Sequence, residues 1–195
     1  YTGNGTGLTG TVTVTEGTLN VTNSLGGNVV VNNSSTLGGE ATVGGNLTLG
    51  GVGGSTLAID LSTTGAMTVN GDLIVNGTTL VHLSPGAMAS NTATVLNFNG
   101  STVATAGSFS LANPANYRSP SFTVNPNNVQ VTLDRKSLVW NGATANWETG
   151  GTDNDWNAPA AENFFWADNV TFDDSATTNL TVAMVGELRP ATVLV

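Results

Sequence analysis

Residues 26–50 read GGNVVVNNSSTLGGEATVGGNLTLG. Apolar residues stand two apart, as Val29 with Val31 and Leu47 with Leu49, between corners of glycine, asparagine and serine. A period of two is typical of a strand with one buried face. Glycine and asparagine accept the positive φ angles that tight corners need. The stretch therefore predicts short strands joined by corners.

The same pattern runs loosely from Thr9 to about Leu83. Strands recur roughly every 6 to 10 residues, so two or three strands would complete a coil of about 20 residues, and we expect about six or seven coils. An antiparallel sandwich, the competing architecture, needs hairpins and a core of large side chains. Aromatic residues are almost absent before Phe98, and the expected inward positions carry Val, Leu, Ile and Met. This favours an all-β parallel β-solenoid.

The sequence pattern of the chain changes twice after Leu83. Pro85 to Leu133 is less regular, and we expect strands there at 93–98, 107–111, 121–124 and 128–133. All four tryptophans lie beyond the charged run Asp134-Arg135-Lys136. We therefore divide the chain into a β-solenoid of residues 1–133 and a tryptophan-rich β module of residues 134–195, which would be a cap or the start of further repeats.

Composition excludes several classes of partner. Charged residues make up only 9% of the chain, and 13 acidic against 4 basic residues give a net charge of −9. Nucleic acids and anionic lipid surfaces are excluded, because both need a basic face. The absence of cysteine fits a chain exported unfolded to the cell exterior. No apolar run reaches membrane-spanning length, so we expect membrane attachment only through a segment outside this sequence.

No constellation of residues predicts catalysis. His82 is the single histidine, and the sequence offers it neither a nucleophile nor an orienting partner, so we interpret it as a surface residue. A glycoside hydrolase needs two carboxylates flanking the scissile bond. Before Asp134 the acidic residues are scattered, at Glu16, Glu40, Asp60 and Asp72, and Arg118 is the single basic residue. The sequence therefore predicts that the protein is not an enzyme.

Two glycine-rich segments resemble parts of calcium sites. Gly150 to Asp155 alternates oxygen-bearing side chains, but no bidentate glutamate follows at the distance an EF-hand requires. Gly50 to Gly54 lacks the liganding aspartate of a calcium-binding nonapeptide repeat. We interpret both segments, and Asp173-Asp174, as turns. We predict no metal and no cofactor.

Aromatic residues crowd the last third of the chain, at Trp140, Trp147, Trp156, Phe164, Phe165, Trp166 and Phe172. Large aromatic side chains bury much area in little sequence, which suits the core of a small module or a plug on the open end of a solenoid. They also form stacking platforms for sugar rings. Trp147 and Trp156 are the candidate ligand-binding residues under that alternative, and host or matrix glycans or proteins are the expected partners.

Several motifs carry a family resemblance. The runs are Gly17-Thr18-Leu19-Asn20-Val21, Leu25-Gly26-Gly27, Thr36-Leu37-Gly38-Gly39, residues 43–49 (VGGNLTL), Trp140-Asn141-Gly142, Asn146-Trp147, Asp155-Trp156-Asn157, Phe164, residues 168–174 (DNVTFDD) and Leu188-Arg189-Pro190. Together they resemble bacterial autotransporter passenger domains and their associated β-strand repeat. The resemblance implies a right-handed parallel β-helix outside a bacterial cell, in an adhesin, spacer or large surface protein. The family's membrane barrel has no counterpart in these residues.

Three functions follow as hypotheses. The first is a non-catalytic structural or adhesive segment of a bacterial surface protein, whose outer faces of Thr, Asn and Ser are hydrated and uncharged. The second is a subunit of an extracellular fibre, because unpaired strand edges at the ends of a solenoid invite end-to-end stacking of copies. The third is a carbohydrate-binding or carbohydrate-active β-helix.

Overall fold

The computed structural model describes residues 1–50, 54–61, 66–84, 88, 90–152, 154–157 and 161–195. Most of Gly50–Gly54 and Asp153 of the Gly150–Asp155 segment therefore lie outside the described residues. The chain forms two compact units. Unit 1 is Tyr1–Ser84, Thr92–Ala112 and Ser121–Thr132, and unit 2 is Pro85–Asn91, Asn113–Pro120 and Leu133–Val195.

Unit 1 is built of short strands and one 3₁₀ turn, Ala106–Ser108. Its strands are β1 (Val12–Val14), β2 (Thr18–Asn20), β3 (Ser24–Leu25), β4 (Val29–Val31), β5 (Thr36–Gly38), β6 (Thr42–Val43), β7 (Leu47–Leu49), β8 (Thr56–Asp60), β9 (Met67–Val69), β10 (Leu73–Val75), β11 (Thr79–Ser84), β12 (Thr92–Phe98), β13 (Phe109–Leu111), β14 (Ser121–Asn125) and β15 (Asn128–Thr132). The abundance of Thr, Asn, Ser and Gly explains the preference for strands and turns over helices.

The strands of unit 1 enter three sheets in rotation. The sheet orders are β1-β4-β7-β10, β2-β5-β8-β11-β13 and β3-β6-β9-β12-β15-β14. From β4 to β12 each strand pairs in parallel with the strand three before it. We call three consecutive strands, one in each sheet, a rung. The all-β class and the parallel sheets are confirmed, whereas the right-handed β-helix stays a prediction.

The regular passage of consecutive strands through the three sheets stops after β12. Strand β15 pairs with β12 in the antiparallel direction, and β14 pairs antiparallel with β15, which forms a hairpin at the end of the third sheet. Strand β13 still follows β11 in parallel in the second sheet. The four expected strands between Pro85 and Leu133 are all present, with bounds shifted by one or two residues.

The register places like side chains on top of one another. In the second sheet a ladder of inward aliphatic residues runs through Leu19, Leu37, Leu57, Val81 and Leu111. The third sheet stacks Leu25, Val43, Val69 and Phe98. All but Leu19 are buried. Burying each aliphatic side chain contributes roughly 1.5–3 kcal/mol, so these ladders are the main stabilising feature of the unit.

One corner of the second, third and fourth rungs carries another ladder, made of polar side chains. Asn28 Oδ1 accepts the backbone N–H of Asn46 at 2.9 Å, and Asn46 Oδ1 accepts that of Asp72 at 2.9 Å. Asp72 Oδ1 then accepts the N–H of Ser101 at 2.7 Å. Each side chain thus pairs a backbone donor of the next rung, where the strand ladder has not yet begun.

The rungs lengthen along the chain. Stacked corner residues are 18 residues apart from Asn28 to Asn46, 26 from Asn46 to Asp72 and 29 from Asp72 to Ser101. The expected 20-residue coil holds for the first interval only, because later rungs have longer strands and corners. Unit 1 therefore completes four rungs among its described residues, instead of the six or seven expected.

Unit 2 contains seven short strands and the 3₁₀ turn Pro114–Asn116 among its described residues. The strands are β16 (Ser137–Trp140), β17 (Asn146–Trp147), β18 (Trp156–Asn157), β19 (Ala161–Glu162), β20 (Asn169–Thr171), β21 (Ala183–Met184) and β22 (Thr192–Leu194). One sheet has the order β19-β18-β16-β20-β22, and β17 pairs with β21. The pairs β16–β20, β20–β22 and β17–β21 are parallel.

Candidate functional site

An aromatic cluster fills the centre of unit 2. Strand pairing places Trp140 of β16 directly opposite Trp156 of β18, with ring centroids 5.1 Å apart. Trp147, Phe164 and Phe172 complete the cluster, with centroid distances of 5.4 to 6.3 Å and mostly tilted or edge-on rings. Such geometry matches the ring quadrupoles and adds about 0.5–1.5 kcal/mol per pair beyond burial.

The two predicted ligand-binding residues both belong to this cluster. Trp147 is 6% exposed and Trp156 1%, and their rings meet edge-on at 5.5 Å. A sugar platform needs an open ring face, so this burial favours the alternative that the tryptophans form the core. Ligand binding by Trp147 and Trp156 stays a prediction. Trp166 lies outside the cluster, edge-on to Tyr117 at 5.5 Å and 4.6 Å beneath Arg189.

A shallow apolar hollow adjoins the cluster. Trp147 and Phe172 line it together with Leu180, Val182 and Met184. No described residue accepts the buried indole N–H of Trp147. The hollow therefore presents an apolar surface beside β21.

Four charged side chains form a partly buried network at one side of unit 2. Arg118 donates from Nη1 to Glu162 Oε2 at 2.9 Å and from Nη2 to Asp168 Oδ2 at 3.0 Å. Lys136 Nζ pairs with the other oxygen of Glu162. The guanidinium also lies 4.5 Å from the Phe165 ring centroid. Asp168 is fully buried and Arg118 nearly so, which makes the network structural, since losing one partner would strand a charge.

The two carboxylates of this network differ in acidity. Burial raises the pKa of Asp168 above its usual value, although backbone N–H groups of Lys136 and Phe165 and the Arg118 charge oppose that shift. The hydrogen bond from Lys136 lowers the pKa of Glu162. Both carboxylates are engaged by cations. Sequence reasoning missed this network because Arg118 is 44 and 50 residues from its partners.

The remaining candidates do not converge. His82 is half-buried on β11, between the buried residues Val81 and Leu83. Asp72 belongs to the corner ladder, and hydrogen bonds from Ser101 lower the pKa of its carboxyl. Within the described ranges, no group of three or more His, Asp or Glu side chains could hold a metal ion.

Asp155, the last residue of the Gly150–Asp155 segment, is hydrogen-bonded to a residue 11 positions earlier in the chain. The buried Asp155 carboxylate accepts hydrogen bonds from both the backbone N–H and the hydroxyl of Thr144. Asp173 similarly accepts the backbone N–H of Ser175 at 2.9 Å. The Asp173 arrangement matches the turn expected from the sequence, whereas the turn expected at Gly150–Asp155 stays a prediction.

In comparisons with known proteins, no family model, curated protein or solved structure matches the chain. The autotransporter resemblance therefore stays a prediction from the quoted motifs. In the part of the chain that the structure describes, no helix has the length and apolar character needed to cross a membrane.

Proposed function

We propose that the protein is a non-catalytic structural or adhesive segment of a bacterial surface protein, built as a right-handed parallel β-helix. The observation that carries this proposal is the rotation of consecutive strands through three parallel sheets. A β-helix requires that order, and right-handed crossovers are the rule between parallel strands. The absence of cysteine supports an exported chain.

The outer faces of unit 1 suit spacing and weak polyvalent contact. Stacked outward positions of the third sheet are polar, in the order Ser24, Thr42, Thr68 and Asn97. These uncharged groups both donate and accept hydrogen bonds, so a repeated row of them can contact sugar hydroxyls or extended peptide along its length.

Binding and catalysis can be tested in one experiment. Beads that carry the protein at high density would be applied to arrays of host and matrix glycans and proteins, with products released from the glycans measured in parallel. We expect retention without product release, and weaker retention for Thr42→Glu/Thr68→Glu. The matched control, Thr48→Glu in the first sheet, should retain binding. No retention contradicts the adhesive role, and released product contradicts the non-catalytic one.

A second candidate function, a subunit of a self-assembling fibre, is favoured by the edge strands of unit 2. Strand β22 is last in its sheet and β21 has one paired side, so both present free backbone groups. Leu194 is 63% exposed and Met184 74%. An exposed apolar edge is a template for further strand pairing.

Electron microscopy over a concentration series tests the fibre candidate. We expect elongated assemblies that shorten or disappear in Val193→Lys, because a charge on β22 blunts the edge. Val103→Lys is the matched control, since Val103 is exposed but lies outside the strands of unit 1. Short monodisperse particles at every concentration would exclude the fibre.

A further inference from the structure

Asparagine followed by glycine is the sequence most prone to spontaneous deamidation, because the glycine lacks a side chain that would shield its backbone nitrogen. The reaction needs that nitrogen free and the asparagine carboxamide free to rotate. The chain contains five such pairs, at Asn4-Gly5, Asn70-Gly71, Asn76-Gly77, Asn99-Gly100 and Asn141-Gly142.

In three of the pairs the glycine N–H is already used. Gly5 N donates to Ser24 O at 2.9 Å. Gly71 N donates to Gly45 O at 3.0 Å, and Gly100 N donates to Gly71 O at 2.9 Å. The last two bonds join neighbouring rungs at the corner, so freeing either nitrogen requires local opening of the stack.

The fourth pair is held through its carboxamide. Asn141 Oδ1 accepts the backbone N–H of Ala143 at 2.8 Å, and Nδ2 donates to Asn154 O at 2.9 Å and to Asn157 Oδ1 at 3.3 Å. Gly142 is buried. The carboxamide therefore cannot turn toward the Gly142 nitrogen without losing three hydrogen bonds.

Asn76-Gly77 lacks both restraints. It lies in the corner between β10 and β11, where Asn76, Gly77 and Thr78 are all exposed. No described residue bonds the Gly77 N–H or the Asn76 carboxamide, and the backbone N–H of Asn76 alone is held, by Leu49 O at 2.9 Å. We propose that Asn76 is a selective deamidation site of the folded protein.

The chemistry needs no cofactor and no oxidant. The Gly77 nitrogen attacks Cγ of Asn76 as its proton passes to water, a C–N bond forms, and the carboxamide C–N bond breaks with loss of ammonia. Water then opens the resulting succinimide. Addition at Cγ gives aspartate, and addition at the backbone carbonyl gives isoaspartate, in which the main chain passes through Cβ.

The product changes an exposed corner of unit 1. Either outcome adds a negative charge to a chain that already carries −9. Isoaspartate also lengthens the backbone between two strands of adjacent sheets. The modified corner would therefore carry a carboxylate beside the outer end of β10.

Peptide mapping of one sample provides internal controls. The folded protein would be incubated at mildly alkaline pH, and conversion of carboxamide to carboxylate followed at all five pairs by mass spectrometry. We expect Asn76 to convert at least about tenfold faster than Asn70 and Asn99, equal to about 1.4 kcal/mol of opening free energy at those corners. In urea, all five should convert at similar rates.

Two outcomes would overturn the proposal. One is conversion of Asn70 or Asn99 in the folded protein as fast as that of Asn76. The other is an Asn76 that stays unmodified while the unfolded sample reacts. Asn76→Gln, which keeps the carboxamide but cyclises far more slowly, should remove the new acidic species from ion-exchange profiles of the folded protein.

Discussion

The corner glycines show how single residues set the stacking of unit 1. A Cβ built on Gly71 would lie 2.2 Å from Asn46 Oδ1 and 2.8 Å from the Gly45 carbonyl carbon. The asparagine side chain that pairs the next rung therefore occupies the space that any larger residue would need. Glycine is required here by close approach.

We expect Gly71→Ala to destabilise unit 1 by about 1–3 kcal/mol, because the corner must widen and the Asn46 hydrogen bond lengthens. Urea unfolding followed by circular dichroism measures the change. Gly10→Ala is the matched control, since a Cβ there meets nothing within 4 Å. Equal stability of the two variants would contradict the role assigned to the corner.

The Glu162 carboxylate gives a residue-scale prediction about pH. Its pKa is lowered in the folded state, foremost by the hydrogen bond from Lys136. The stabilisation is therefore complete above the unfolded pKa of about 4.3 and is lost as pH falls through the lower folded value.

Glu162→Gln should accordingly reduce the free energy of unfolding by about 1 kcal/mol near neutral pH, with a smaller difference near pH 3. Urea titrations at the two pH values test this. Glu16→Gln, an exposed carboxylate in unit 1, controls for the loss of one negative charge. A loss of unfolding free energy that is larger near pH 3 than near neutral pH would contradict the predicted direction of the pH dependence.

At the scale of strands, the sequence predicted most of unit 1. Val29, Val31, Leu47 and Leu49 are buried as their alternation indicated, because a period of two is a local property. Rung length was not predictable, since the number of residues between successive strands differs from rung to rung. The side-chain ladder from Asn28 to Asp72 was also missed, because asparagine serves equally well as a plain turn residue.

Unit 2 was predicted less well. The tryptophans were identified as a group, but sequence left their core and platform roles open. Their burial depends on pairings such as Trp140 with Trp156. Arg118 gave no signal at all, because its partners Glu162 and Asp168 are distant in sequence.

The parallel register itself can be tested with cysteines, which the natural chain lacks. Val30 and Thr48 are adjacent outward residues of neighbouring rungs, and Ile74 is one rung further. We expect Val30→Cys/Thr48→Cys to form a disulfide on mild oxidation, because adjacent strands are about 4.8 Å apart.

The control pair is Val30→Cys/Ile74→Cys, which lies two strand spacings apart and exceeds the reach of a disulfide. Mobility on non-reducing gels and peptide mapping distinguish the two variants. Equal oxidation of both pairs would contradict the register.

At the scale of the whole molecule, the division into two units has a spectroscopic consequence. All four tryptophans belong to unit 2, so their emission reports that unit, whereas far-ultraviolet circular dichroism reports both. Leu57 is fully buried in unit 1, and Arg118 holds the charge network of unit 2.

We expect Leu57→Ala to reduce the free energy of unfolding of unit 1 by about 2–5 kcal/mol. The circular dichroism transition should then move to lower urea concentration, while the midpoint of the tryptophan emission stays unchanged. Arg118→Met should reduce the free energy of unfolding of unit 2 by about 3–5 kcal/mol, because it leaves the buried Asp168 charge without a partner cation. The tryptophan midpoint should therefore move to lower urea concentration. Urea unfolding with both probes checks this. One common transition for both variants would show that the units unfold together.

The polar corner ladder also bears on how such a chain can change length. Asn28 and Asn46 occupy equivalent places, and each offers the same oxygen to the rung above. Excising residues 29–46 would join Asn28 directly to Leu47 and leave its side chain facing the Asp72 amide. Duplication or loss of that segment therefore keeps an asparagine Oδ1 opposite the corner backbone N–H of the next rung, so the number of rungs can change in whole steps.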